Sequence, residues 1–299
     1  MNLKDFEYVK AIAQYKHFRK AADACFVSQP TLSGQVKKLE HELGVTLFDR
    51  STKQVTLTAK GERLLTQIEI ILEQTQILKE LAATSNEPLQ GKLTIGIIPT
   101  IAPYLLPALL TSMKAAFIDS QFSFIEMQTA TILEALNNGE LDFAILADVP
   151  ELINYHTVAL YKEDFLVAVS QDNALSKHKK VALSDLQGCS LLMLSDGHCF
   201  KDQAQKFCFS AGVDVSNQYK GNSLETLLAL VAMDDGITFV PKLACTDRVG
   251  IDYLPIFPNQ QRNVVFACRK HYPHLSGVEQ LGEWLSAHPN LKAKLSKKL

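Results

Sequence analysis

The stretch from Phe18 to Gly44 constrains the fold more tightly than any other part of the chain. In RKAADAC the small side chains of Ala21, Ala22 and Ala24 let a short helix approach its neighbours closely. Ser28 then offers a cap, and Pro30 suits the first turn of a following helix. Leu32, Val36, Leu39 and Leu43 bury one side of that helix, and Gly44 stops it. Ahead of the pair, Leu3, Phe6, Val9, Ile12 and Ala13 recur at helical spacing behind Asn2, a ready N-cap. Gln29, Pro30, Thr31, Ser33, Gln35, Lys37 and Lys38 form the exposed side of the later helix. A short helix, a tight turn and a helix with amides, hydroxyls and cations at its exposed start predict a helix-turn-helix that enters the major groove of DNA. The alternative is a small helical domain that binds another protein through the same face.

Beyond Gly44, Thr46 to Asp49 and Gln54 to Leu57 are expected to pair as short strands around Arg50, Ser51, Thr52 and Lys53. That hairpin reads as a wing, with Arg50 and Lys53 against the phosphate backbone or the minor groove. Through Leu65 the chain carries 11 Lys and Arg against 7 Asp and Glu, and the rest carries 19 against 25, so positive charge gathers where DNA would bind. Thr58 caps a long helix expected to reach Ser85. Leu64, Ile68, Ile71, Thr75, Leu78 and Ala82 mark an apolar stripe along it, for which no local partner is evident. Such a stripe fits pairing with a second copy of the chain, and packing on the chain's own second domain is the other reading.

After Gly91, strands and helices alternate: Leu93 to Ile98, a helix after Pro103, Phe122 to Met127, a helix near Ile132 to Asn138, and Leu141 to Ala147. This rhythm predicts a mostly parallel sheet with helices on its faces. It recurs at Leu191 to Leu194, a helix at Cys199, Ser223 to Met233 and Ile237 to Val240, with Phe165 to Val169 as a crossover. Two α/β lobes with a cleft between them are expected. In open sheets of this kind, ligands meet the carboxyl ends of strands and the N-termini of following helices, where Thr100, Thr129 and the neighbours His198 and Cys199 fall. The hydroxyls could hold a small polar molecule, while Cys199, in the first turn of its helix, gains thiolate character from the positive helix end. Taken singly, each threonine reads as an ordinary cap or turn residue.

Cys199 and Cys208 stand nine positions apart in HCFKDQAQKFCFSAG, a stretch that reads as helix. Nine helical residues advance about 13.5 Å and turn about 900°, which sets the sulfurs on opposite faces, whereas a disulfide needs Cα atoms within roughly 7 Å. If both thiols react together, this helix must come apart. Six cysteines in 299 residues are too sparse for a secreted disulfide framework. MNLKDFEYVK lacks the basic start and apolar middle of an export signal, and the apolar runs fall well short of the roughly 18 residues that span a bilayer. A cytoplasmic location, no membrane association and mostly reduced thiols are expected. CxxC and HExxH spacings are absent, so no metal and no other cofactor is expected. Cys25, Cys189, Cys245 and Cys268 lie in apolar or periodic surroundings that fit inert, buried thiols.

Together FRKAADACFVSQPTLSGQVKKLEHELGVTLFDR, GIIPTIAPYLLP, LLMLSDGHCFKDQAQKFC and SLETLLALVAMDDGIT resemble the LysR-type transcription regulators, and the GHC to FC segment resembles their peroxide-sensing OxyR group. The similarity covers nearly the whole chain. It implies an α/β protein with a winged helix-turn-helix DNA-binding domain (1–58), a linker dimerisation helix and hinge (59–90), and a two-lobed, periplasmic-binding-protein-like, redox-sensing regulatory domain (91–299). It also implies a tetramer built from dimers. By this resemblance Cys199 matches the peroxidatic cysteine and Cys208 the resolving one, Thr100, Thr129, His198 and Asp202 match a peroxide pocket, and Arg262 matches a basic residue of that pocket. Lys201 departs from the group, which commonly carries Arg there; it keeps the charge and loses the planar donor fork. The implied chemistry runs from a Cys199 thiolate through a sulfenic acid to a disulfide with Cys208, reset by a cellular dithiol reductant. Double-stranded promoter DNA, hydrogen peroxide, RNA polymerase and further copies of the chain complete the expected partners.

Two other functions fit parts of the sequence. A LysR-type regulator that senses a metabolite in the cleft would still respond after Cys199→Ser. A thiol peroxidase would consume peroxide at the expense of a thiol reductant, and the DNA-reading half argues against turnover as the purpose.

Overall fold

The computed structural model describes residues 1–49, 55–83, 88–195, 215–221 and 223–296. The chain forms two compact units, Met1–Ala83 and Thr84–Leu299. In the first, helices α1 (Leu3–Tyr15), α2 (Phe18–Ala24) and α3 (Gln29–Leu43) precede an antiparallel pair, β1 (Phe48–Asp49) and β2 (Thr56–Leu57), and the long helix α4 (Ala59–Ala83). The caps follow the local chemistry. Asn2 and Asp5 form a reciprocal capping box, with Asn2 Oδ1 accepting from Asp5 N at 3.0 Å and Asp5 Oδ2 accepting from Asn2 N at 2.8 Å. Ser28 Oγ accepts from Thr31 N at 3.3 Å at the start of α3, and Gly44 ends that helix at φ 66°, where a Cβ would be strained.

Val9, Ile12, Ala21, Ala22, Leu32 and Val36 are fully buried in the first unit's core. The alanines explain the close packing of α2, because a larger side chain at either position would hold the helices apart. Leu3, expected on the buried stripe of α1, is exposed. Glu40 on α3 fixes the approach to the wing: its Oε1 accepts from Leu47 N at 2.8 Å and Phe48 N at 3.3 Å. Thr58 closes the wing and opens α4, donating to the Thr46 carbonyl at 2.7 Å and accepting from Gly61 N at 2.9 Å. Along α4 the apolar stripe divides. Leu64 and Ile68 pack into the first unit's own core, so the start of the stripe does have a local partner, whereas Ile71 and Leu78 are exposed.

The second unit begins with the expected alternation of β3 (Gly91–Ile97), α5 (Ala102–Ala116), β4 (Ser120–Glu126), α6 (Thr129–Asn137) and β5 (Phe143–Ala147), and β3 pairs in parallel with both β4 and β5. Then the pattern changes. The crossover expected at Phe165 to Val169 is the second half of a 16-residue strand, β6 (Tyr155–Ser170). The strands β7 (Val181–Ala182), β8 (Leu191–Leu194) and β9 (Val215–Gly221) follow, then α7 (Leu224–Ala232), β10 (Thr238–Pro241), β11 (Ile251–Phe257), β12 (Gln261–Arg269), α8 (Leu275–Ala287) and α9 (Pro289–Ser296).

Strand β12 pairs antiparallel with β5 and with the first half of β6, whereas β10 and β11 pair antiparallel with its second half. The sheet is therefore mixed, not mostly parallel. The antiparallel members come from the last third of the chain, which returns to both lobes. One lobe is β4-β3-β5-β12 with the start of β6; the other gathers the end of β6 with β10, β11 and β7, beside the parallel pair β8 and β9. A single strand thus runs through both lobes, with the changeover at Asp164 and Phe165.

Candidate functional site

On the first unit, Gln29, Pro30, Thr31, Lys37 and Lys38 lie exposed along α3, and Ser33 and Gln35 are half-buried on it. The Ser28 and Thr31 hydroxyls share a hydrogen bond of 2.7 Å at its start. Arg50 and Lys53 lie outside the described residues. Arg19 and Lys20, which the sequence reading passed over, stand exposed in the first turn of α2. Their signal was available, because the first helix of such a motif crosses the DNA backbone.

In the second unit, Thr100 follows β3 and Thr129 opens α6 directly after β4. These strands are parallel neighbours, so both hydroxyls sit at the carboxyl end of one sheet, and both residues are buried, with 2% and 8% of their surface exposed. Arg262 reaches Thr100 from β12. Its Nη1 donates to Thr100 Oγ1 at 2.9 Å and its Nη2 to the Thr100 carbonyl at 3.4 Å. Across the β12–β6 pairing it faces Glu163, and Nε donates to Glu163 Oε1 at 2.8 Å, with neither side chain exposed. The other carboxylate oxygen accepts from Leu243 N at 2.7 Å, just after β10.

A continuous buried network therefore runs from Leu243 in one lobe, through Glu163 and Arg262, to Thr100 in the other. Sequence reasoning placed Thr100 and Arg262 in one pocket, and the structure brings them together; it missed Glu163, the partner that makes burial of the guanidinium tolerable. Thr129 Oγ1 is buried with no hydrogen-bond partner among the described residues. Thr129 shares with Thr100 the carboxyl end of the sheet. His198, Cys199, Asp202 and Cys208 lie outside the described residues.

Chemically, Thr100 accepts from a cation and retains its own hydroxyl proton, while Thr129 can both donate and accept. The other thiols contrast with a reactive cysteine. Burial pushes the thiols of Cys25, Cys189, Cys245 and Cys268 up from their ordinary value, that of Cys268 to about 12, which keeps them protonated at neutral pH. Among the described residues no group of His, Cys, Asp and Glu could hold a metal ion, and no helix is long and apolar enough to cross a membrane.

Residues 3–62 match the family described as "Bacterial regulatory helix-turn-helix protein, lysR family", and residues 86–290 match "LysR substrate binding domain". The "Hydrogen peroxide-inducible genes activator" of Dickeya chrysanthemi is 43% identical over 295 residues, covering 97% of each chain. The "DNA-binding transcriptional dual regulator OxyR" of Escherichia coli strain K12 is 43% identical over 291 residues, covering 96% of this chain and 95% of that one. This chain belongs to the LysR family, in its OxyR group. A solved OxyR mutant from Corynebacterium glutamicum with hydrogen peroxide bound matches this OxyR-group chain with a TM-score of 0.66 at 31% identity, covering 99% of this chain and 94% of that one. For an OxyR-group regulator, the helix-turn-helix at one end and the two-lobed α/β unit at the other are the expected parts, and both are present.

Proposed function

We propose that this OxyR-group regulator senses hydrogen peroxide through Cys199 and Cys208 and reports the signal to promoter DNA through α3 and the wing. The observation that carries this reading is the 43% identity, over 97% of the chain, to a hydrogen peroxide-inducible genes activator, in a chain that carries Cys199 and Cys208. The Cys199 thiolate attacks one peroxide oxygen, the O–O bond breaks, and the departing hydroxide takes a proton and leaves as water. Cys208 then attacks the sulfenic sulfur, a second water leaves, and a disulfide remains. Two thiols are oxidised by two electrons and one peroxide is reduced to two waters; a dithiol reductant reverses the change. Closing a loop of this size stabilises the oxidised form by about 2–3 kcal/mol on the chain-entropy estimate, enough to compete with the packing of a short helix.

In this reading Thr100 and Thr129, with His198 and Asp202, receive the peroxide, and Arg262 holds Thr100 in place from behind. Residues 1–58 read DNA, with Gln29, Pro30, Thr31, Ser33, Gln35, Lys37 and Lys38 toward the major groove and Arg50 and Lys53 on the backbone. Residues 59–90 pair two chains and lead into the hinge, 91–299 sense, and two dimers form a tetramer that meets RNA polymerase at the promoter in the cytoplasm. Signalling, not turnover, is the purpose, so the chain is not an enzyme.

Mass spectrometry after mild peroxide treatment, run beside footprints of the thiol and oxidised forms on a candidate promoter, tests this directly. A Cys199–Cys208 bond and a changed footprint are expected. A footprint that changes while Cys199 stays reduced would overturn the mechanism, and a response retained in Cys199→Ser would point to a metabolite instead.

A further inference from the structure

A second polar cluster, sharing no residue with the Thr100 network, joins the two lobes. Glu225 lies in the first turn of α7, in the second lobe, and Tyr104 lies in the first turn of α5, in the first. The Tyr104 hydroxyl donates to Glu225 Oε1 at 2.6 Å. Arg248, in the loop between β10 and β11, brings its Nη2 to Oε1 at 2.7 Å and to Oε2 at 2.6 Å, and its Nε donates to Thr246 Oγ1 at 3.2 Å. Tyr104 is tied down from another direction, because Lys294 Nζ on α9 donates to its carbonyl at 2.6 Å. A guanidinium held in place by a threonine, facing a phenol donor, is the chemistry that recognises a free carboxylate through charge-assisted hydrogen bonds.

We propose that Tyr104, Thr246 and Arg248 form a carboxylate-binding site that is occupied by the chain's own Glu225. Each carboxylate oxygen is engaged: Oε1 by Tyr104 and Arg248, Oε2 by Arg248. The donors come from both lobes, so the tethered carboxylate bridges them without any diffusible ligand. Shortening the side chain to Ala removes its carboxylate and one methylene and opens the position to small monocarboxylates such as propionate, which supply the missing carboxylate.

The test uses the full chain and reads carboxylate binding, so it is separate from peroxide sensing. Melting temperature and calorimetric binding are measured at neutral pH in sodium propionate and in sodium chloride of equal ionic strength. Glu225→Ala is expected to melt below the parent, to recover part of the loss in propionate only, and to bind propionate about tenfold or more tightly than the parent does. Adding Arg248→Met should abolish both responses. Equal propionate responses in parent and Glu225→Ala, or none in the variant, overturn the proposal. Should Glu225→Ala fail to fold, a cycle of Tyr104→Phe and Glu225→Gln decides: coupled effects on melting are expected, and strictly additive effects overturn it.

Discussion

Arg262 carries a charge that only its surroundings make tolerable. With neither its side chain nor that of Glu163 exposed, removing one member leaves the other charged and unsolvated. Arg262→Met is expected to destabilise the regulatory unit by about 3–5 kcal/mol in urea melts, and Arg262→Met with Glu163→Leu should recover much of that loss. Glu225 makes a different prediction, in pH. Burial pushes its carboxyl up, but the Tyr104 and Arg248 hydrogen bonds and the Arg248 charge outweigh it and hold the group below its ordinary value of 4.5. Because the folded value is the lower one, the bridge contributes fully above the ordinary carboxylate range and is lost as pH falls through the lowered value. The melting difference between parent and Glu225→Gln should therefore be flat near neutrality and shrink only in acid below that range.

At the scale of elements, the wing depends on how closely α4 can approach it. A Cβ built at Gly61 would lie 2.2 Å from the Leu47 carbonyl oxygen, so this glycine permits a backbone contact that no other residue allows. Gly61→Ala should destabilise the first unit by about 1–3 kcal/mol and weaken promoter binding, read by thermal melts and fluorescence anisotropy. Farther along α4, Leu78 is 67% exposed, with Ile71 also facing solvent. If this stretch pairs two chains, Leu78→Asp should shift sedimentation toward a smaller species while leaving helical content unchanged.

For the whole molecule, the positive charge gathered in residues 1–65 predicts an electrostatic contribution to DNA association. Replacing both Lys37 and Lys38 by Ala should weaken binding to all sequences alike and flatten the dependence of log affinity on log salt by about 2, if each meets a phosphate. An unchanged slope in binding titrations would remove these lysines from the backbone contacts. In the regulatory unit, β6 runs through both lobes, and the Leu243 to Thr100 network lies on it through Glu163. The Leu243 to Thr100 network and the Tyr104 to Glu225 bridge thus constrain the same relative position of the lobes by independent chemistry.

Helices α1, α2 and α3, the two-strand wing and the opening β3-α5-β4-α6-β5 alternation were legible because their signals are local: caps, stops, and apolar periodicity within a few residues. The place of Thr100 and Thr129 at a strand's carboxyl end followed from the same alternation. What the sequence could not determine was which strands meet. A strand's own residues do not name its neighbour or its direction, so the length of β6 and the antiparallel return of β11 and β12 were decided only by long-range pairing. The same holds for the ion pair of Glu163 and Arg262, separated by 99 positions. Read alone, each charge belongs at the surface, because desolvation is unfavourable until the fold supplies an opposite charge and the remaining hydrogen-bond partners at contact distance.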